Sequence, residues 1–566
     1  MKTDLLIVGG GTRALLLLER LAAAAASAPD RTLHVTVADP GVFGRGLHVE
    51  DQRPYIAFNT PYSCPTVFFN DRIQGLVPAV RGPTLEDWLQ ASGGDMSQRY
   101  QARAVVGRYL AWSGQHLLAN LPRNMHAEHV RECVSDAAPA PGGGLTFQTD
   151  AKGTISARAA VIAVGHSFSE ARSEGLGRAR IIDNPFPTHV RLEGLERQHL
   201  VAIRGMGLTA LDVLAELTIG RGGRFESAAN GAPSRYLASG HEPRMILCSR
   251  SSCPLRARPL GSDGGGIPFT PVVLVESRAA ELLAERTPLE FRTAVFPLIL
   301  AEMAHRLAAG TVPGFPPQVL DRIRDWRASG GAARSNAEVC AFFRDPEIEG
   351  PLYALIRPVL RDGIPGTRHR AIAFLRDDLR ESLLGTAASS LKHALEALLE
   401  ARVFIKALVD FRRDLFTDHQ WIYGTFAQLV NRNTIGPQPQ RSAELIALLE
   451  SGLVEVAPGG SSLEEMPVDA IVRADHLNYA TPTQHGFIQS LVNSGLSRAI
   501  VGGDGTILGL EVDEGMRLAA RGLWAAGPIC DGSAYYNNYV PCIQPDAEYP
   551  YREADRIARD VLEFLR

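Results

Sequence analysis

The chain has 566 residues, more than a single hydrophobic core usually fills, so we expect roughly three or four structural units. Its 45% hydrophobic and 21% charged residues are typical of a globular protein and exclude disordered, collagen-like and coiled-coil chains. The formal net charge of −4 excludes a large basic field, and we therefore predict no nucleic-acid partner.

Residues 3–40 follow the order strand, glycine turn, helix, strand. Leu5–Val8 is a continuous apolar run, which is typical of a strand buried in a parallel sheet, and Gly9–Gly11 follow it as a turn. Thr12–Ala26 is rich in alanine and leucine and predicts a helix, after which Val35–Ala38 predicts a second strand. This pattern indicates the opening of a βαβ unit.

The same order of elements returns near residue 200. The strand Leu200–Ile203 leads into Gly205-Met206-Gly207 and a helix through Leu217, and Arg244–Cys248 predicts the next strand. From 276 to 430 the apolar residues have mostly helical spacing, and the tail then returns to strands before a last helix. We predict an α/β fold with two interleaved Rossmann-like dinucleotide-binding domains and a helical insertion.

The first turn carries the dinucleotide fingerprint Gly9-x-Gly11-x-x-Ala14. The first glycine permits the turn, the second lets the backbone approach a pyrophosphate, and the small third residue allows the helix to pack closely on the strand. The helix N-terminus at Thr12 offers N–H groups to phosphates, and Asp39 ends the second strand, where a carboxylate can bind ribose hydroxyls. A glycine-rich turn without a ligand is the alternative interpretation.

The second turn repeats the fingerprint as Gly205-x-Gly207-x-x-Ala210. Here the following strand ends in Ser249-Arg250, where the first unit has an acidic residue. A carboxylate at that place would repel a 2′-phosphate, whereas serine and arginine would bind it, so the sequence favours NADPH over NADH. An exposed arginine on a surface loop is the alternative.

Several further stretches, together with the two fingerprints, carry a family pattern. They are Asp4–Leu16, Phe58–Pro61, Pro83–Leu89, Arg103–Trp112, Ala160–His166, Gly205–Asp212, Ser239–Arg244, Ser249–Pro259 and Gly522–Pro528. In these stretches the chain resembles the two-dinucleotide-binding flavoproteins. More narrowly, it is similar to the bacterial FAD/NAD(P)-binding family that includes amino-acid N-hydroxylating monooxygenases such as L-aspartate N-monooxygenases.

The resemblance implies one site for FAD and one for NADPH. The residues predicted to bind FAD are Gly9, Gly11, Thr12, Ala14, Asp39, Asn59, Arg103, Gly165, Gly527 and Asp531. The residues predicted to bind NADPH are Gly205, Gly207, Thr209, Ala210, Ser249 and Arg250. Many members of the family carry Gly-Asp where this chain has Gly527-Pro528.

Four segments follow from this organisation. We predict the first part of the FAD-binding domain over residues 1–190 and the NADPH-binding domain over 191–275. A helical insertion on the substrate side is predicted over 276–430, and 431–566 is predicted to return to the FAD-binding domain.

Some polar and aromatic residues lie beside the predicted flavin turns and are candidates for catalysis. Asn59, Tyr535 and Asn538 can hydrogen-bond the flavin edge or the substrate, although packing would equally explain the tyrosine. Arg256 and Arg258 follow the predicted NADPH strand and are candidates to bind a substrate carboxylate or the nicotinamide phosphates. Surface charge is the alternative for both arginines.

The seven cysteines are scattered and odd in number, which indicates a reducing compartment. Cys248 and Cys253 mimic the redox pair of flavin disulfide reductases, but they lie in the second unit, and we interpret them as reduced thiols. No His/Cys cluster has metal-ligand spacing, so we predict no metal. Charged residues interrupt the apolar N-terminus and no apolar run reaches about 20 residues, so we expect a cytoplasmic protein without a membrane partner.

No side-chain nucleophile motif appears, so we expect the cofactor to carry the difficult chemistry. The resemblance implies an FAD-dependent, NADPH-consuming monooxygenase that hydroxylates the amine nitrogen of a small amino acid through a C4a-(hydro)peroxyflavin. The expected partners are an amine or amino-acid substrate and O2, and homo-oligomerisation is left open. Two alternatives remain: an NADPH-dependent flavin reductase or oxidase without oxygen insertion, and a non-enzymatic flavin-bound sensor.

Overall fold

The computed structural model divides the chain into two compact units, and both ends of the chain belong to the first. Unit 1 comprises Met1–Ser169 and Leu477–Arg566, and unit 2 comprises Glu170–His476. The residues that the structure describes are 1–49, 51–165, 179–227, 233–261, 270–357, 368–463, 466–475, 486–501, 507–537, 540–542 and 548–566.

The helices and strands are given in chain order. The first part of unit 1 contains β1 (Lys2–Val8), α1 (Thr12–Ala26), β2 (Leu33–Ala38), α2 (Leu85–Ala91), α3 (Arg103–Ala119), β3 (Met125–Val130), β4 (Val134–Pro139), β5 (Leu145–Thr149) and β6 (Thr154–Ile162). Unit 2 begins with β7 (Arg180–Ile182), α4 (Thr188–Arg191), β8 (Leu200–Arg204), α5 (Leu208–Thr218), β9 (Arg224–Ser227), β10 (Pro233–Leu237) and β11 (Arg244–Cys248).

The remainder of unit 2 is mostly helical. It contains α6 (Glu276–Leu283), α7 (Phe291–Ala294), α8 (Phe296–Leu307), α9 (Pro317–Ala328), α10 (Asn336–Phe343), α11 (Pro346–Ile356), α12 (Arg368–Ala388), α13 (Ser390–Val409), α14 (Ala427–Thr434), α15 (Pro439–Glu450), β12 (Val454–Val456) and β13 (Ala470–Arg473). The chain then re-enters unit 1 with α16 (Gly486–Asn493), β14 (Ala499–Val501), β15 (Ile507–Leu510), β16 (Leu523–Ala525) and α17 (Tyr549–Phe564).

A sheet with the strand order β3-β2-β1-β6-β5-β4 forms the centre of unit 1. β1 pairs in parallel with β2 and β6 on its two sides, and β16 pairs in parallel with the end of β6. Leu5, Leu6 and Ile7 of β1 are fully buried, as expected for a central parallel strand. α1 packs against α17, so the two sequence-distant parts of unit 1 share one core.

The sheet of unit 2 has the order β12-β11-β8-β13-β7, and all its neighbouring strands are parallel. Its apolar core combines β8 residues such as Val201 and Ile203 with α5 and α15 residues such as Val213 and Leu449. The prediction of an α/β fold with two interleaved Rossmann-like domains is therefore confirmed.

Each glycine turn follows a strand at the centre of its sheet. From β1 the chain continues to β2 on one side, while β6 on the other side belongs to a later connection. β8 has the same relationship to β11 and β13. In open α/β sheets a crevice for ligands lies at the carboxyl ends of the strands where the direction of the connections changes. Both turns lie at such a place.

The return to unit 1 occurs later in the chain than residue 431, where the sequence places it. Val454–Val456 pairs with β11, and Ala470–Arg473 pairs with β8, so this stretch completes the sheet of unit 2. Arg180–Ile182 also joins that sheet by pairing with β13, although the sequence assigns residues up to 190 to the first domain. Hydrogen bonding to the second sheet therefore sets the boundaries near 170 and 477.

Helices α6 to α15 occupy the region predicted as a helical insertion and extend it to Glu450. The fully buried Glu302 of α8 accepts hydrogen bonds from the backbone N–H groups of Val272, Val273 and Leu274, which ties the preceding loop to the helices. In the described part of the chain, no helix has the length and apolar character needed to cross a membrane.

Candidate functional site

The turn after β1 requires glycine at its first position. Gly9 has φ +101°, and a Cβ there would lie 2.7 Å from the carbonyl carbon of Ala163 at the end of β6. Gly11 precedes α1 in extended conformation and provides no side-chain cap. The first N–H groups of the helix therefore remain available to a ligand, as in phosphate sites at helix N-termini. Ala14 is fully buried, which allows α1 to lie close to the sheet.

Asp39 holds the turn in place from the end of β2. Its Oδ2 accepts a hydrogen bond from Gly10 N at 2.7 Å, and its Oδ1 accepts one from Gly41 N at 2.7 Å. Each carboxylate oxygen has two acceptor positions, so both still have one for a ribose hydroxyl. Asp39, the residue predicted to bind the ribose, thus also fixes the backbone of the glycine turn.

A cavity of about 460 Å³ in unit 1 opens onto this turn. It is lined by four of the predicted FAD residues, namely Gly11, Thr12, Asp39 and Gly165. The other lining residues include Arg13, Arg45, Gly46, His48, Phe58, Thr66, Val106, Tyr109, Leu110, Pro528, Asn537 and Val540. The cavity therefore extends from the helix N-terminus along α3 to the segment after β16.

Arg13 is a cavity residue that the sequence prediction did not include. It occupies a variable position of the fingerprint, is almost fully buried, and donates from Nη2 to the Asn537 carbonyl oxygen at 2.8 Å. Its Nη1 lies 3.2 Å from Oε1 of Glu553 on α17. The only sequence signal was a cation at the first turn of the helix, where the dipole disfavours positive charge unless an anion is near.

His48 is a second cavity residue that the sequence did not reveal. Its ring contacts Phe58 edge to face with centroids 5.4 Å apart, and burial together with the positive charge of Arg103 lowers its pKa to about 4. The imidazole is therefore neutral at neutral pH. A Cβ at Gly107 would overlap the His48 carbonyl oxygen, so this glycine lets α3 approach the cavity wall.

Of the remaining predicted FAD and catalytic residues, two are chain neighbours of residues that line the cavity. Asn59 follows the cavity residue Phe58, and Gly527, with φ +81°, precedes the cavity residue Pro528. Asp531 follows the short 3-10 helix Pro528–Cys530. Tyr535 is buried, whereas Asn538 lies outside the described residues.

The cavity has features that fit FAD. Oδ1 of the buried Asn537 and Nδ1 of His48 have no hydrogen-bond partner among the described residues, and both side chains belong to the cavity lining. A Cβ at Gly11 would lie 3.8 Å from the Gly46 Cα, so the two glycines leave room between the helix N-terminus and the facing loop. Unpaired buried polar atoms are costly, and a polar cofactor would satisfy them.

The second turn has the same construction as the first. Gly205 has φ +117°, a Cβ there would lie 2.7 Å from the Ala474 carbonyl, and its N–H donates to the Cys248 carbonyl oxygen at 2.8 Å. Gly207 precedes α5 without a side-chain cap, Thr209 lies in the first turn, and Ala210 is buried. The N-terminus of α5 is therefore a second place for a pyrophosphate.

Ser249 and Arg250 follow the carboxyl end of β11, and Gly205 and Gly207 follow the carboxyl end of the neighbouring strand β8. β11 is in register with β8 through the pair Cys248 and Arg204, so the residues that follow both strands meet at one edge. Arg250 is exposed, and Ser249 Oγ lies 3.4 Å from the Met206 sulfur. Binding of a 2′-phosphate by these two residues stays a prediction.

Comparisons with known proteins identify the family. An FAD-NAD(P)-binding family profile matches residues 6–167, which contain the first fingerprint. The chain is 30% identical over 456 residues to the nitrosuccinic acid synthase npaA of Aspergillus oryzae, an alignment covering 76% of this chain and 69% of that protein. This chain belongs to the family of N-hydroxylating flavin monooxygenases.

Two further comparisons involve proteins with related names. The chain is 29% identical over 490 residues to an L-aspartate N-monooxygenase (nitrosuccinate-forming) of Streptomyces cremeus, covering 79% of this chain and 72% of that protein. The solved structure of ornithine hydroxylase (PvdA) from Pseudomonas aeruginosa is 11% identical, covers both chains fully and gives a TM-score of 0.45.

Membership of this family confirms the prediction of a flavin-dependent monooxygenase with FAD and NADPH as cofactors. In this N-hydroxylating flavin monooxygenase the two glycine turns stand in separate units. The first fingerprint belongs to the cavity of unit 1, and the second lies at the edge of the sheet of unit 2.

The sequence predicts that Arg256 binds the substrate or the nicotinamide phosphates, but its side chain is used within the protein. It is buried, and its guanidinium donates to Asp378 Oδ1 at 2.7 Å, to Asn433 Oδ1 at 3.1 Å and to the Leu355 carbonyl oxygen at 3.1 Å. These contacts give it a structural role within unit 2. Arg258 is half-buried, and its backbone is held by Ser382 and Pro437.

Cys248 and Cys253 are free thiols, in agreement with the interpretation from sequence. Burial raises the pKa of Cys248 to about 11, and it also raises the pKa of Cys253. A thiol with a raised pKa is a poor nucleophile, so neither residue has the character of a redox-active cysteine. Within the described residues, no group of three His, Cys, Asp or Glu side chains could hold a metal ion.

Proposed function

We propose that this N-hydroxylating flavin monooxygenase oxidises the amine nitrogen of L-aspartate at the expense of NADPH and O2, with nitrosuccinate as the product. The observation that carries the proposal is the similarity to proteins named for this reaction, which extends over 76% to 79% of the chain. That span includes far more than the FAD-NAD(P)-binding region at residues 6–167. An amino acid with a second carboxylate is therefore the substrate class that we favour.

We assign the FAD pyrophosphate to the N-terminus of α1, at Gly11 and Thr12, and the adenosine ribose to Asp39. FAD supplies the redox and oxygen chemistry when it is bound, and the protein must bind and orient the reactants and exclude water. Phe58 and Leu110 provide apolar walls of the cavity. His48 is neutral there and offers a hydrogen-bonding nitrogen without adding charge.

We assign the NADPH pyrophosphate to the N-terminus of α5, at Gly207 and Leu208. Ser249 and Arg250 then provide a hydroxyl and a guanidinium for the 2′-phosphate, which is the group that distinguishes NADPH from NADH. Arg258 remains a proposed contact for a substrate carboxylate, since its side chain is half-buried rather than fully enclosed. Asn59 and Tyr535 remain proposed contacts for the flavin or the substrate.

The proposal is tested with the purified, FAD-loaded enzyme. We expect L-aspartate to accelerate NADPH oxidation and to yield N-hydroxyaspartate and nitrosuccinate, identified by mass spectrometry, with less peroxide than without substrate. Glycine, L-asparagine and L-glutamate serve as comparison substrates. Peroxide as the only product with every amine would support an oxidase, and negligible NADPH oxidation would support a flavin-bound sensor.

A matched variant shows whether the activity depends on the flavin site. A Cβ at Gly11 would already lie 3.8 Å from the Gly46 Cα, so the larger Gly11→Leu side chain is expected to fill the space beside the helix N-terminus. We expect this variant to lose its yellow colour and all NADPH-dependent product formation. Gly486→Leu is the control, because Gly486 is exposed, its φ lies outside the left-handed region, and nothing lies within 4 Å of a Cβ at that position.

A further inference from the structure

The end of α14 is held against the turn that follows β11 in unit 2. The Arg256 N–H donates to the Arg432 carbonyl oxygen at 3.1 Å, and the Arg256 guanidinium donates to Asn433 Oδ1 at 3.1 Å. A Cβ at Gly436 would overlap the Arg256 carbonyl oxygen, so only glycine permits this approach. The helical insertion thereby brings its own residues to the edge of the sheet at which Arg250 stands.

The Arg432 side chain reaches the same turn. Its Nη2 donates to Ser251 Oγ at 2.7 Å, and Ser251 is separated from Ser249 by Arg250 alone. The Ser249 carbonyl oxygen in turn accepts a hydrogen bond from Gly460 N at 3.4 Å. The turn Ser249–Ser251 is therefore held by two hydrogen bonds, one from the Arg432 side chain and one from the Gly460 backbone.

The charges around Arg432 are mostly positive. Burial lowers its pKa, the neighbouring Cys253 acts in the opposite direction, and the positive charges of Arg357, Arg256 and Arg250 lower it further. Asp378 compensates Arg256 at 2.7 Å but also binds a second buried cation, Lys392, at 2.8 Å. Because these side chains are fixed close together and carry more positive than negative charge, they favour the binding of an anion.

We propose that Arg432 binds the 2′-phosphate of NADPH together with Arg250, so that the helical insertion takes part in selecting NADPH over NADH. This inference rests on the proposed binding of NADPH at the second glycine turn. Guanidinium groups suit a phosphate because they donate forked, charge-assisted hydrogen bonds. The two arginines come from separate segments of unit 2 and would both donate to this phosphate.

The test is calorimetric titration of the FAD-loaded enzyme with 2′,5′-ADP and with 5′-AMP, which differ by the 2′-phosphate. We expect Arg432→Gln to weaken binding of 2′,5′-ADP by at least about tenfold, because a charge-assisted hydrogen bond to the phosphate is stronger than the neutral one that glutamine could make. Binding of 5′-AMP should change less than about twofold. The exposed Arg412 provides the matched control, and we expect Arg412→Gln to bind both nucleotides like the wild type.

The possible outcomes distinguish a failure of the role of Arg432 from a failure of the proposed NADPH site. Wild-type enzyme that binds 2′,5′-ADP no more tightly than 5′-AMP contradicts the proposed NADPH site itself. Wild-type discrimination that persists in Arg432→Gln overturns only the role of Arg432. If Arg432→Gln weakens the binding of 2′,5′-ADP and of 5′-AMP equally, the proposed contact with the phosphate is also overturned. That result would indicate that Arg432 only supports the turn through Ser251.

A second variant keeps the test valid if glutamine at this position unfolds the protein. Arg432 lies in the last turn of α14, where a cation also stabilises the helix dipole. Arg432→Lys keeps the charge but lacks the forked donors, so we expect it to lose about threefold to tenfold in 2′,5′-ADP affinity while thermal stability is retained. A raised KM for L-aspartate with unchanged 2′,5′-ADP binding would assign the arginine to a substrate carboxylate instead.

Discussion

Arg13 and Glu553 form a buried ion pair that joins the two sequence-distant parts of unit 1. Their Nη1 and Oε1 atoms are 3.2 Å apart, and the side chains are only 7% and 2% exposed. Arg13 belongs to the lining of the cavity in unit 1, and Glu553 belongs to α17. Because Nη2 of Arg13 also donates to the Asn537 carbonyl, the pair holds a cation and a carbonyl-bearing segment at the cavity wall.

Glu553→Gln should therefore affect both stability and cofactor binding. Removing one partner of a buried pair leaves an uncompensated charge, and we expect the free energy of unfolding to fall by about 3 kcal/mol. FAD affinity should fall in addition, because Arg13 loses its orientation at the cavity. Urea unfolding and FAD titration measure the two effects. The exposed Glu563 of the same helix provides the control Glu563→Gln, and similar results for both variants would contradict the role of the pair.

Gly9→Ala tests the requirement for glycine in the first turn. The substitution combines a positive φ of +101° with a Cβ placed 2.7 Å from the Ala163 carbonyl carbon. Gly142→Ala is the matched control, because its φ is +90° but nothing lies within 4 Å of its Cβ. We expect the control to lose about 1 kcal/mol from backbone strain alone, whereas Gly9→Ala should lose considerably more and fail to retain FAD. Thermal melts and the flavin content after gel filtration measure both effects.

The titration of His48 gives the stability a defined pH dependence. Burial and Arg103 lower its folded pKa from 6.5 to about 4, so between these values the unfolded state binds more protons. The contribution to stability is complete above pH 6.5 and decreases as the pH falls toward 4, by at most about 3 kcal/mol. Glu396, whose burial raises its pKa to about 7, acts in the opposite direction, since its contribution decreases as the pH rises.

The two titrations are separated by comparing the wild type with His48→Asn. We measure the free energy of unfolding at several pH values between 4 and 7. In this range the wild type should lose more stability on acidification than the variant, because only the wild type must protonate His48 on unfolding. The contribution of Glu396 is common to both proteins and cancels. Parallel pH profiles would show that His48 does not titrate with a lowered pKa.

Arg250→Gln tests the selection of NADPH with NADH as the internal control. Arg250 is exposed at the edge of the sheet, so its substitution should not affect folding. We expect KM for NADPH to rise about tenfold while KM for NADH stays within about twofold, because only NADPH carries the 2′-phosphate. Steady-state NADPH and NADH oxidation rates measure the difference. Equal changes for both nucleotides would contradict a contact with the phosphate.

Local requirements explain which features could be predicted from the sequence. Gly9 and Gly205 adopt a positive φ that the turn requires. The strand and helix around each glycine lie within a short stretch of sequence, so the pattern can be recognised locally. By contrast, Arg13 and Glu553 lie near opposite ends of the chain, and nothing near Arg13 indicates its partner. His48 belongs to an irregular loop whose position depends on the packing of α3 through Gly107.

The domain boundaries could not be predicted for a similar reason, because they depend on pairing between distant segments. Val454–Val456 and Ala470–Arg473 are strands of three and four residues, too short to carry a pattern that identifies the sheet they join. Arg256 looked like an anion ligand because it follows the NADPH strand, but its carboxylate partner is supplied by α12, far along the chain. Spacing along the sequence cannot indicate pairs of this kind, because tertiary packing alone brings the residues together.

Asp378→Asn tests the network that encloses Arg256. Asp378 accepts hydrogen bonds from Arg256 at 2.7 Å, from Lys392 at 2.8 Å and from Ala257 N at 2.7 Å, and its side chain is 1% exposed. Its neighbour Asp377 is 72% exposed and pairs with Arg380 on the next turn, so Asp377→Asn is the matched control.

The neutral amide would leave two buried cations without their shared carboxylate. We therefore expect Asp378→Asn to lose about 3–5 kcal/mol of unfolding free energy, whereas the control should lose less than about 1 kcal/mol. Urea unfolding of the two variants provides the comparison. Because Arg256 also holds the end of α14 through Asn433, the variant should in addition weaken 2′,5′-ADP binding. A loss of stability below about 1 kcal/mol would mean that the cations of this network do not depend on Asp378.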